Sequence, residues 1–93
     1  MTLVVDIVKH GKRPSESFSR EKLHASIVAA CLSVRAPEGQ AEATAHAVCD
    51  AVIVWLHQRP EVTSNDIRTI TAKYLKSHHP DAAYLYEQQH STI

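Results

Sequence analysis

Six side chains that carry or can carry positive charge crowd the start of this chain: Lys9, His10, Lys12 and Arg13 around Gly11, then Arg20 and Lys22. Residues of this type hold anions. Ser19 is a good helix N-cap, so Arg20 and Lys22 fall in a first helical turn, where cations oppose the macrodipole at a cost of about 0.3–1 kcal/mol. An anion at that terminus would engage free backbone N–H groups and neutralise the cations together, and a triphosphate brings several charges. The plain alternative is a solvated turn and helix surface with Glu16 and Glu21 as partial partners. Physics alone leaves both readings open.

Catalytic readings fail on their motifs. The sequence has no Gly-x-x-x-x-Gly-Lys-Ser/Thr loop, no Gly-x-Gly-x-x-Gly and no Gly-x-Ser-x-Gly elbow. Cys31 and Cys49 lack metal or redox spacing and an activating neighbour, so buried free thiols are expected rather than a disulfide or a nucleophile. The seven histidines invite a metal site. Yet His78 and His79 are adjacent on one element and no Cys or carboxylate spacing supports them, so surface positions are expected. No metal site and no enzymatic activity are anticipated; a nucleotidase would need a carboxylate cluster for magnesium and a nucleophile–base pair.

The elements that position these residues follow from composition and period. Ninety-three residues allow one domain and one core, burying roughly 60–65% of the unfolded surface. Ten basic residues balance ten acidic ones, which argues against a general nucleic-acid binder but permits one local cationic pocket. No apolar run approaches the roughly 20 residues of a membrane span, and Asp6 and Lys9 interrupt the run at 3–8 that a secretory leader would need. A cytoplasmic domain is the expectation.

The β-branched run at 3–8 reads as a strand, residues 9–14 as a turn shaped by Gly11 and Pro14, and residues 15–18 as a short return strand. A first helix starts at the Ser19 cap and stops by Ala36, with Leu23, Ile27, Ala30 or Cys31 and Val34 on one face. Pro37 suits the first turn of a second helix, which extends to about Arg59 before Pro60, with Ala45, Val48, Cys49, Val52, Ile53 and Leu56 inward. Thr63 or Ser64 caps a third helix, with Asp66 answering in a capping box and Ile67, Ile70, Thr71, Tyr74 and Leu75 as its stripe. Pro80 starts a fourth helix carrying Ala83, Leu85 and Tyr86, with Tyr84 and Tyr86 closing the bundle and a frayed tail from His90. The expected fold is α+β but mainly α, a β-hairpin lying over a bundle of about four helices. Trp55, with Val54 beside it, is either a half-buried core residue or the anchor of a homo-oligomer contact.

The stretch Ile7-Val8-Lys9-His10-Gly11-Lys12-Arg13, continuing through Glu16-Ser17-Phe18-Ser19-Arg20-Glu21-Lys22-Leu23 to Ile27 and Ala30, resembles the opening of the ATP-cone. That domain occurs at the N-terminus of many ribonucleotide reductases and in the repressor of their genes. Val62-Thr63-Ser64-Asn65-Asp66-Ile67 resembles the start of its third helix, and Ala82-Ala83-Tyr84-Leu85 its closing segment. The likeness spans residues 4–89 as four motifs in order.

The resemblance implies roles, position by position. Lys9 and Lys22 would hold phosphates, Glu16 and Ser19 would meet the adenine edge, and Ser64 would donate to phosphate. Arg68 would contact ribose or phosphate, and Ile7, Val8 and Phe18 would line the base. The ligand implied is ATP or dATP as an effector, with magnesium accompanying the phosphates. The family pattern of a strand ending in Lys-Arg-x-Gly becomes Val8-Lys9-His10-Gly11 here, and Pro14-Ser15 look inserted. Lys12 and Arg13 would then compensate for the lost arginine, and His10 in contact with phosphate would make affinity pH-dependent. The stretch holds neither a reductase catalytic domain nor the paired Cys-x-x-Cys of the repressor, so a stand-alone regulatory module is expected. It would couple nucleotide binding to oligomerisation or to a regulated partner. The alternative is a degenerate ATP-cone that serves as a nucleotide-independent interaction module.

Overall fold

The computed structural model describes residues 6–8, 16–59 and 61–88. Among them, three short strands and four helices follow in the order β1 (Asp6–Val8), β2 (Glu16–Ser17), α1 (Arg20–Ser33), α2 (Glu38–Leu56), β3 (Val62–Thr63), α3 (Ser64–His78) and α4 (Pro80–Gln88). The fold is mainly helical. The expected hairpin turn at 9–14 lies outside the described residues, as does the tail from His90.

Each helix begins and ends for a local reason. The Ser19 hydroxyl accepts from the Lys22 N–H at 3.2 Å and caps α1. α1 stops at Ser33, and Arg35 then takes φ 63°. The N–H of Ala36 reaches the Cys31 carbonyl at 3.0 Å and that of Arg35 reaches Leu32 at 3.0 Å, a Schellman closure with arginine where glycine is usual.

Two boundaries differ from the sequence expectation. Pro37 sits outside α2 as its N-cap residue with extended ψ 145°, not in the first turn. α2 ends at Leu56 rather than near Arg59. Gln58 and Arg59 donate to the Trp55 and Leu56 carbonyls at 3.2 and 3.0 Å, a tightened last turn. The cause is Pro60, which pushes the residue before it out of α geometry.

Thr63 closes the expected capping box: its hydroxyl accepts from the Asp66 N–H at 3.0 Å, and the Asp66 carboxylate accepts from the Thr63 N–H at 3.0 Å. His79 gives α4 an unforeseen cap, its Nδ1 lying 3.4 Å from the Ala82 N–H.

β1 lies at the centre of a sheet ordered β2-β1-β3, antiparallel to β2 and parallel to β3. The sequence reading took Val62 and Thr63 only as a helix entry, because two residues are too few to show a period of two. α1 packs against α2 and α4, and α3 against α2 and α4. Their facing stripes form one core around Leu23, Ile27, Val52, Leu56, Ile67 and Leu75. Cys31 and Cys49 are buried free thiols within it. Tyr86 is buried as expected, but Tyr84 is 63% exposed and does not close the bundle. Residue 84 lies two positions, about 200° of helix, from Tyr86, so both cannot face inward.

Candidate functional site

Short strands lead into two of the helices. β2 feeds α1 through Phe18 and Ser19, and β3 feeds α3 directly at Thr63. Ser17 pairs with Asp6 and Thr63 with Val8, so the last residues of β2 and β3 stand two strands and two register steps apart, roughly 12 Å. β2 and β3 run in opposite directions, so α1 and α3 leave the sheet from opposite ends. Each terminus presents N–H groups without intrahelical acceptors, on Arg20 and Glu21 in α1 and on Ser64 and Asn65 in α3.

At the α1 end, Lys22 is exposed, while Arg20 and Ser19 are engaged. The Arg20 guanidinium bonds Asp50 at 2.9 Å and approaches the His46 ring at 3.3 Å, both on α2. The unbalanced charge expected of Arg20 is therefore offset within the fold. Among the described residues, no ion pair is recorded for Lys22, the other first-turn cation. Ser19 uses its oxygen as a cap, leaving its hydroxyl hydrogen to donate outward. Phe18 is 6% exposed and belongs to the core, so it can show a base only its edge.

At the α3 end, Ser64 is half-buried in the first turn, and Arg68 follows one turn later on the same face. Arg68, Asn65, Thr69 and Glu87 line an open recess of about 260 Å³. Asn65, Thr69 and Glu87 were not singled out in the sequence. The signal for the first two was there, since 65, 68 and 69 share a helical face. Glu87 comes from α4 and had none.

Polar groups of α1, α4 and α3 meet at Tyr86. The Ser26 hydroxyl donates to the Leu23 carbonyl at 2.7 Å and lies 3.2 Å from the Tyr86 hydroxyl. Ser26 sits one turn beyond Lys22 on α1, and Thr71 one turn beyond Arg68 on α3. The Thr71 hydroxyl is fully buried, close enough to Tyr86 to act on its phenol, and has no hydrogen-bond partner among the described residues. Burial pushes the Tyr86 phenol above its ordinary value, partly relieved by Ser26, Thr71 and the nearby Arg68 charge. The ridge holding Lys22 and the ridge holding Arg68 thus meet across one phenol.

Of the other anticipated site residues, Lys9, His10, Lys12 and Arg13 lie outside the described residues. Val8 and Glu16 are placed by their backbones in β1 and β2. Among the described residues no group of three or more His, Cys, Asp or Glu gathers as a metal site. No helix there is long and apolar enough to cross a membrane.

Fold and geometry define a class: a small, mainly helical domain in which short strands lead into α1 and α3, with Lys22 and Arg68 in the first two turns of those helices. The family model for the ATP cone domain matches residues 7–91, so the chain belongs to the ATP-cone family. That family consists of nucleotide-binding regulatory domains, not catalysts, and its effectors are ATP and dATP. No curated protein and no solved structure matches the chain.

Proposed function

We propose that this chain is a nucleotide sensor that binds ATP or dATP against the first turns of α1 and α3. The observation that carries this reading is the meeting of the α1 ridge that holds Lys22 and the α3 ridge that holds Arg68 at Tyr86. Lys22, Arg68 and Ser64 supply donors and charge for phosphates, joined by Lys9, His10, Lys12 and Arg13 from the segment between β1 and β2. Val8, Glu16, Phe18 and Ser19 meet the base. Magnesium rides on the phosphates rather than on a protein cage.

Binding regulates by favouring one state of the domain, either an oligomer or a complex with a protein partner in the cytoplasm. Such coupling requires that the two states differ in nucleotide affinity. Isothermal titration with ATP and dATP tests the reading: saturable heat is expected, and no heat with no thermal shift at millimolar nucleotide would end it. A second reading draws on Val54, 61% exposed, beside half-buried Trp55, over which Arg59 stacks at 4.6 Å. There the domain is a nucleotide-independent interaction module, and partner capture unaffected by ATP would favour it.

A further inference from the structure

α1 and α3 carry the two halves of the proposed site, and both pack against α4. Tyr86 is the α4 residue at that junction, 4% exposed, with its hydroxyl 3.2 Å from Ser26 on α1. The Ser26 hydroxyl also donates to the Leu23 carbonyl at 2.7 Å, and with that hydrogen engaged the phenol can donate to the Ser26 oxygen. On the α3 side the Thr71 hydroxyl is buried and the Arg68 charge lies near the phenol. The Tyr86 hydroxyl thus stands between α1 and α3.

We infer that the Tyr86 hydroxyl is a positioning group that holds the Lys22 ridge of α1 and the Arg68 ridge of α3 at the separation a polyphosphate requires. It touches no ligand itself. The inference rests on the nucleotide reading above and adds a residue that neither the motifs nor the recess would pick out. A phenol suits the role. Its ring belongs to the core, its hydroxyl both donates and accepts, and burial keeps it protonated at neutral pH.

The test is titration of wild type, Tyr86→Phe and Ser26→Ala with ATP and with AMP, alongside circular dichroism. Phenylalanine keeps the ring and removes only the bridge. A positioning role weakens ATP binding by roughly three- to tenfold in either variant, with AMP affinity changed less than twofold, because one phosphate does not need both ridges. Equal weakening for ATP and AMP would show general loosening and overturn the inference. Unchanged ATP affinity in both variants would overturn it too, while leaving the nucleotide reading intact. A flat wild-type titration would overturn both. Should Tyr86→Phe fail to fold, Ser26→Ala carries the same decision from the partially exposed end of the bond.

Discussion

The Arg20 guanidinium closes on the Asp50 carboxylate at 2.9 Å, tying the first turn of α1 to the middle of α2. The contact changes how the cation cluster is read. A first-turn arginine conflicts with the helix dipole, and Asp50 offsets that conflict from a neighbouring element. Asp50→Asn frees Arg20 to turn toward the α1 terminus, where an anion would meet it. ATP affinity is expected to rise by roughly two- to threefold, with stability falling by about 0.5 kcal/mol as for an exposed pair. Calorimetry and urea midpoints read the two effects separately, and a fall in affinity would contradict this account of Arg20.

Lys22 and Arg68 should behave differently from Arg20. Each is proposed to meet phosphate through a charge-assisted hydrogen bond, for which about 1.5–3 kcal/mol is typical. Lys22→Gln and Arg68→Gln are expected to weaken ATP binding by roughly tenfold or more, and to flatten its salt dependence. Arg68→Lys should recover only part of the loss, since lysine keeps the charge but not the planar fork. Titrations at two salt concentrations measure this. Full recovery by lysine would mean that Arg68 acts only as a point charge.

The sequence made some of this legible and concealed the rest for physical reasons. Helix starts were readable where a cap side chain announces them, as at Ser19 and at Thr63 with Asp66. The apolar stripes of α1 and α3 were readable because 3.6-residue periodicity survives over four turns. β3 was not, since two residues carry no period. Of the proposed site, Lys22 could be named from its place in a first helical turn, and Ser64 and Arg68 from the family resemblance. The Asp50 partner of Arg20 lies thirty positions away, and the Ser26–Tyr86 bond spans sixty. Such links depend on how helices pack, which a one-dimensional pattern does not encode.

Arg35 holds φ 63° in the Schellman closure that ends α1. Left-handed backbone costs a residue with a Cβ roughly 1–2 kcal/mol, and glycine avoids it. Part of that gain is returned through the greater freedom of glycine in the unfolded chain. Arg35→Gly is therefore expected to stabilise the domain by about 0.5–1 kcal/mol, raising the thermal midpoint by a few degrees for a chain this size. Arg35 is exposed and distant in sequence from both helix entries, so ATP affinity should not change. Thermal unfolding by circular dichroism decides it; a lower midpoint would mean that the arginine side chain makes a contribution larger than the backbone strain.

Cys49 is expected to weaken the fold at alkaline pH. Burial pushes its thiol from 9.0 up to about 11, with the Arg20 charge pulling slightly the other way and Asp50 adding to the rise. Burial also raises Cys31 and Tyr86. For an acid whose folded value is raised, the unfolded chain ionises first. Its contribution is thus fully present below the unfolded value and is lost as pH climbs through the folded one. Stability should stay level up to about pH 8.5, then fall between pH 9 and about 11, by on the order of 2–3 kcal/mol from Cys49 alone. Urea midpoints at pH 8 and pH 10.5 measure the drop. Cys49→Ala removes that titration, so its stability should decline less over the same interval; an equally steep decline would assign the alkaline loss to other groups.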